Sequence, residues 1–347
     1  MKKEMQAIAK TAAGPGNLAL RTYKVPSIKS DEVLIRIHAA GICGTDLHIK
    51  HDTFPNVPPV ILGHEFSGKL VELGPEVIGW SVGDRIVAQP HKGGCGSCRY
   101  CNTGQVEICR NKRAIGYKID GAMAEYVALP FGSLHRIPDD LSFETAALAE
   151  PLAVCVKAVA ERATVQAGDC VVVLGCGAIG LLAAAVAKAM GAGKVIVVGT
   201  DQDLGHRLPI AKAMGIDEAI SVQGTDVVKF VMDLKEGGAD LVVEASGAPA
   251  AINQAFSLLR RDGRICAIGL TADKTVSVPW SAAIHDQINI VSSYSSSWTS
   301  WEAAIDLLSS GKVDVEPMIS GRYRLNEFEE AFASLERLEA VKNLFQP

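Results

Sequence analysis

Cys170-Val-Val-Val-Leu-Gly-Cys-Gly-Ala-Ile-Gly180 decides the fold. Cys170 to Leu174 is a short unbroken apolar run rich in β-branched residues, the pattern of a strand buried on both faces. It passes directly into Gly175-Cys-Gly-Ala-Ile-Gly180 and then into the Ala-rich stretch Leu181 to Met190, which reads as a helix. A bare Gly-x-Gly-x-x-Gly spacing would also suit simple strand-to-helix packing. Between a buried strand and a helix it signals dinucleotide binding, because the glycines allow a tight turn and the helix N-terminus attracts a pyrophosphate. Gly175, Gly177, Ala178, Ile179 and Gly180 are the cofactor contacts this implies.

Further apolar runs follow at Val195 to Val198, Ala219 to Val222, Leu241 to Glu244 and Ile265 to Ile268, most of them separated by helical stretches. Such alternation predicts right-handed βαβ units and a doubly wound parallel sheet covered on both faces. Ser246, Gly269 and Leu270 join the expected nucleotide contacts. At the end of the second strand, where NAD enzymes of this fold carry an acid for the ribose hydroxyls, Gly199-Thr200 stands instead and Asp201 comes two places late. A missing carboxylate removes repulsion against a 2′-phosphate that Thr200, His206 or Arg207 could contact, whereas Asp201 would oppose it. The balance favours NADP over NAD.

Before about Val127 the texture differs. Val33 to His38, Phe66 to Leu73 and Gly83 to Ala88 read as half-buried strands between Gly and Pro turns, so this part is β-rich. Ala-rich helical segments then run from Glu144 to Ala163. Within the β-rich part, Cys95, Cys98, Cys101 and Cys109 lie on a Gly-rich loop, a spacing that closes a tetrahedral zinc shell with no place for substrate. An iron–sulfur cluster is the weaker alternative, since ferredoxin spacings differ. Cys43, in Gly41-Ile-Cys-Gly-Thr-Asp-Leu-His48, and Gly63-His64-Glu65 offer thiolate, imidazole and carboxylate, a set suited to a zinc with one position open. Taken singly, Cys43 and His64 would read as core residues. Glu150 tips the balance, because in Ala-Leu-Ala-Glu-Pro-Leu a carboxylate without a cation nearby would be costly. Cys155 is the rival donor.

These features together resemble the zinc-dependent medium-chain dehydrogenases, closest to the sorbitol and polyol dehydrogenase group and similar to threonine and butanediol dehydrogenases. Gly63-His-Glu-x-x-Gly68-x5-Gly74-x-x-Val77 matches that family's zinc signature, and the four-cysteine lobe and glycine fingerprint follow in family order over nearly the whole chain. The resemblance implies a GroES-like β domain joined to a Rossmann domain, with the active cleft between them. It implies catalytic zinc ligands at Cys43, His64 and Glu65, with Glu150 as fourth ligand or partner of the zinc-bound water. It also implies Asp46 orienting His64, and Thr45 and His48 as proton relay. In sorbitol dehydrogenase a tyrosine follows the relay histidine and an arginine lies in the late polyol-binding segment; Ile49 and Ser292 to Ser297 stand there in this chain, which argues against sorbitol itself. Tyr117, Lys118 and Trp298 are candidate pocket residues.

The chain of 347 residues exceeds what one core usually supports, so two domains are expected: 1–152 with 292–347, carrying the zinc lobe at 91–112, and 153–291. The last segment, from Pro317 onward, is expected to rejoin the first domain. A net charge of −5 without basic runs argues against nucleic acid and for a small-molecule partner. Nine cysteines are too few for a disulfide scaffold, Met1 to Ala7 lacks a signal-peptide core, and glycines interrupt the apolar stretch Val171 to Ala187. Cytoplasmic residence, no disulfides and no membrane span follow as expectations. The function expected is hydride transfer between a secondary alcohol or polyol and NAD(P); the resemblance also implies a homo-oligomer, dimer or tetramer, since in relatives the sheet edge corresponding to Ile288 to Val291 pairs between subunits. The alternatives are a threonine- or butanediol-type enzyme and a non-catalytic cofactor-binding regulator. A zinc-free quinone reductase is disfavoured because it should lack the cysteine lobe and Gly-His-Glu.

Overall fold

The computed structural model describes residues 2–235, 237–273 and 275–347. The chain forms two compact units, 1–150 with 319–347, and 151–318.

In the first unit, β1 (Glu4–Lys10), β2 (Leu18–Lys24) and β4 (Val60–Ile61) form a small sheet in the order β2-β1-β4. A larger sheet contains β3 (Glu32–Gly41), β5 (Glu65–Leu73), β6 (Arg85–Ala88), β7 (Tyr126–Pro130), β8 (Leu134–Arg136), β15 (Ile319–Tyr323) and β16 (Lys342–Phe345). Its order is β15-β16-β3-β5-β6-β8, with β7 pairing β3. The alternation that suggested a half-buried strand at 33–38 is overridden in the fold. β3 pairs with β5, β7 and β16, and Arg36 is its one exposed residue. Val33, Ile35, Ile37, Phe66, Leu70 and Ile86 pack in one core cluster, and Ile8, Ile42, Ile49, Phe332 and Phe345 in another.

The second unit holds β9 (Cys170–Leu174), β10 (Lys194–Gly199), β11 (Glu218–Ser221), β12 (Ala239–Glu244), β13 (Leu259–Ala267) and β14 (Asn289–Ser292). They pair in the order β11-β10-β9-β12-β13-β14, parallel throughout, which is the doubly wound order with its switch point at β9. β9 is buried along its whole length, as expected of a central strand covered on both faces. The helix Ala178–Ala189 starts three residues earlier than the alanine run suggested, because Gly177 serves as its N-cap. The helical stretch after 144 breaks into Phe143–Ala147, Ala149–Val156 and a wider π-type turn, Lys157–Arg162.

The second unit extends further than the expected bound at 291. Residues 292–318 stay with it because β14 pairs with β13 and Trp301, on the helix Trp298–Ser309, is fully buried with its indole N–H donating to Ser296 Oγ. No helix among the described residues is long and apolar enough to cross a membrane.

Candidate metal centre and nucleotide edge

Cys43 is the N-cap of the helix Gly44–Lys50, and its own N–H donates to Asp46 Oδ2 at 2.9 Å. Glu65 opens β5, and in the antiparallel register it faces Gly41 at the end of β3. These elements bring one donor atom each of Cys43, His64 and Glu65 within 4.8 Å of one another. His64 and Glu65 are buried, whereas Cys43 is half-buried. Glu150, at the start of the helix Ala149–Val156, stands outside this set but close enough for His64 and Glu65 to act on its charge.

Several acidic groups are buried together here. Burial, reinforced by Glu65, pushes the Glu150 carboxyl up to about 7, and burial likewise raises Asp46. Burial alone would keep His64 neutral, but Cys43, Asp46 and Glu150 outweigh it and hold the ring well above its ordinary value. A pocket of acids that draws protons in this way is electrostatically suited to a dication. The thiolate, imidazole and carboxylate set suits zinc.

Lys342, on β16, was not anticipated from the sequence. It is buried with 2% of its side chain exposed, and it donates to Glu65 Oε2 at 2.7 Å, Glu65 Oε1 at 3.0 Å and Ile42 O at 3.0 Å. The register explains the meeting: Gly41 pairs with Leu344 of β16 on one side and with Glu65 of β5 on the other. A Cβ at position 41 would overlap Glu65 Oε2, so only glycine leaves room for the carboxylate. The lone signal in the sequence is the Lys342-Asn343 pair set between Val341 and Leu344-Phe345.

In the cysteine loop the sulfurs of Cys98 and Cys109, and of Cys109 and Cys95, lie 3.8 Å apart, and those of Cys95 and Cys101 4.0 Å apart. A tetrahedron of sulfurs about 2.3 Å from a zinc has an edge of about 3.8 Å. The amides of Ser97 and Cys98 point at Cys95 and bring its thiol down to about 6, nearer the thiolate a metal requires. All nine cysteines are free thiols.

On the second unit, the expected nucleotide residues lie along the carboxyl edge of the sheet: Gly175–Gly180 after β9, Gly199 and Thr200 at the end of β10, Ser246 after β12, Gly269 and Leu270 after β13. Gly175 has φ +106°, and a Cβ at Gly180 would strike the Gly175 carbonyl, so these two glycines are demanded by the turn and by helix–strand packing. Space around the α-carbon of Gly177 is open. Thr200 donates through N at 2.9 Å and Oγ1 at 2.8 Å to Asp203 Oδ2, and Arg207 lies 3.6 Å from Asp203 Oδ1. Asp203, absent from the expected set, therefore folds back over Gly199 and is buried there. Asp201 turns aside to accept from Ser221 Oγ.

Residues 29–139 match the alcohol dehydrogenase GroES-like domain family, and residues 178–310 match the zinc-binding dehydrogenase family. The chain is 39% identical over 344 residues to the sorbitol dehydrogenase of Halalkalibacterium halodurans, covering 99% of each protein. The chain belongs to the zinc-binding dehydrogenases. To the D-arabitol-phosphate dehydrogenase of Enterococcus avium this dehydrogenase is 37% identical, over 100% of its own length and 98% of the relative's. A zinc-binding dehydrogenase from Sinorhizobium meliloti, solved with NADP bound, superposes with a TM-score of 0.92 at 32% identity, with both chains covered completely.

The remaining expected site residues of the dehydrogenase divide. Thr45 is half-buried in the helix that begins at Gly44, and His48, exposed, pairs through Nδ1 with Thr53 Oγ1 at 3.2 Å rather than with Thr45. Cys155 donates its thiol to Ile179 O at 3.3 Å. Tyr117 stands edge-on to Phe54, Lys118 donates to Lys112 O, and the Trp298 indole donates to Glu302. Two further histidines have structural roles. His51 bonds Glu336, and His91 belongs to a buried chain with Gln89 and His135.

Proposed function

We propose that this dehydrogenase moves hydride between a secondary hydroxyl of a polyol or sugar alcohol and NAD(P), using a zinc held by Cys43, His64 and Glu65. The observation that carries this reading is the convergence of those three donors within 4.8 Å, the thiol among them half-buried. Zinc there supplies a Lewis acid for the substrate oxygen, and the nicotinamide supplies the hydride acceptor. The protein's own groups do the rest. Asp46 turns the His64 ring, Glu150 with its carboxyl near 7 exchanges a proton beside the donors, and Thr45 and exposed His48 pass the substrate proton outward through a bridging hydroxyl or water. The four cysteines of the loop at 95–109 hold a second, structural zinc.

The polyol class is supported by the relatives, which are named for sorbitol and D-arabitol phosphate. NADP is favoured over NAD. The strand-end position is glycine, and both nearby carboxylates are held by protein donors, Asp203 by Thr200 and Arg207 and Asp201 by Ser221. A dimer or tetramer in the cytoplasm completes the reading. Among the described residues β14 is the edge strand of its sheet, and Ile290 on it and nearby Trp280 and Ile284 are exposed.

A matrix of secondary alcohols, polyols, polyol phosphates and threonine against NAD and NADP tests the proposal. Turnover is expected with polyols or their phosphates, faster with NADP. No change in nicotinamide absorbance across the whole panel would sink it in favour of a protein that binds cofactor without catalysis.

A further inference from the structure

We propose that Lys342 is a positioning residue that acts as a built-in counter-ion for Glu65: it keeps the donor set in shape without its ion and keeps the ion exchangeable when bound. This rests on the reading of Cys43, His64 and Glu65 as a zinc site. The Lys342 ammonium has three protons and three acceptors, Glu65 Oε1, Glu65 Oε2 and Ile42 O, so it is fully satisfied in the core. Glu65 has 1% of its side chain exposed and lies against the α-carbon of Gly41, which closes that side to it. A buried ion pair is a poor source of stability compared with apolar packing, so its place here needs another reason. That reason is the carboxylate itself, which belongs both to the pair and to the donor cluster.

Two consequences follow from Coulomb's law in a dry site. Without the metal, Lys342 neutralises one of the clustered acids Asp46, Glu65 and Glu150, which would otherwise repel one another. With the metal, the same fixed positive charge opposes the dication and lowers its affinity. Removing the charge penalises the metal-free protein and relieves the loaded one, and both effects tighten binding.

The experiment is equilibrium zinc occupancy of the full chain against a series of zinc-buffered chelator solutions, with Cys43→Ser identifying which release phase belongs to this site. Lys342→Met is expected to bind zinc in that phase roughly tenfold or more tightly, with the four-cysteine phase unchanged, and Lys342→Arg to return towards the native affinity. The thermal midpoint of the zinc-stripped Lys342→Met protein should fall more than that of the loaded one. If Lys342→Met does not fold, Lys342→Gln, which keeps a donor without the charge, carries the same expectation. Equal or weaker zinc binding in the variant overturns the inference. A Cys43→Ser protein with the same release profile as the native one overturns instead the zinc site on which it rests.

Discussion

Nδ1 of His64 faces Oδ1 of Asp46 at 4.0 Å, and neither buried atom has a hydrogen-bond partner. Two unsatisfied groups aimed at each other mark an interaction that closes when the ring shifts slightly, fixing the proton on Nδ1 and leaving Nε2 to the Cys43 side. Asp46→Asn should weaken metal binding or turnover by about 10- to 100-fold. Zinc affinity and kcat measured on the same preparation check it; unchanged values for both would remove Asp46 from the site.

The two metal sites should separate by mutation and by chelation. Cys43→Ser or His64→Ala should abolish turnover with little change in thermal midpoint, whereas Cys98→Ser should mainly cost stability, since the loop it serves cannot bury a core of its own. Under mild chelation activity should vanish while about one zinc per chain, in the closed tetrahedral shell, is retained. Metal counting alongside activity decides it, and simultaneous loss of both ions would contradict the assignment.

Stability should fall on mild acidification through a buried chain in the first unit. The Gly93 N–H donates to His91 Nδ1, His91 Nε2–H donates to Gln89 Oε1, and the Gln89 amide donates to His135 Nε2, which requires both rings neutral. Burial brings both histidines down to about 4 from an ordinary 6.5, with Lys112 adding to the effect on His91. The unfolded chain therefore binds more protons between those values. The contribution of each ring is complete above about pH 6.5 and lost as pH falls towards 4, at most roughly 3 kcal/mol each. Denaturant unfolding at a series of pH values should show the slope, and His91→Gln with His135→Gln should flatten it.

Gly180→Ala should abolish nucleotide binding, because the added methyl meets the Gly175 carbonyl, a backbone atom that cannot yield. Isothermal titration with NADP and NAD reads the loss. Near-native affinity in the variant would mean that the fingerprint turn does not bind the pyrophosphate.

Arg207→Ala should reduce kcat/KM for NADP by roughly tenfold while altering the NAD value little, since an arginine beside the strand end is what favours a 2′-phosphate. Comparable losses with both nucleotides would instead make Arg207 a brace for Asp203, its partner at 3.6 Å.

Local pattern was enough where chemistry is local. The glycine fingerprint, the cysteine spacing and the apolar run Cys170 to Leu174 announce their structures because each is made by residues adjacent in the chain. The strand at 33–38 misled by one step, since its alternation cannot reveal that neighbours would cover it from several sides. Asp203 escaped notice for a similar reason. The expected acid belongs at the strand end, and only the turn at Asp201–Asp203 carries this carboxylate back over Gly199.

What the sequence by itself determined is the two-part architecture, the family and the donor types of both candidate metal sites, because spacing and residue chemistry are properties of short segments. What the tertiary structure decided is the electrostatic setting of those donors. Lys342 and Glu65 are separated by 277 positions, and strand pairing on either side of Gly41 is what sets an ammonium against a carboxylate in the core. Strand register, which depends on the whole sheet, controls which charges meet where water is excluded, and no single segment encodes it.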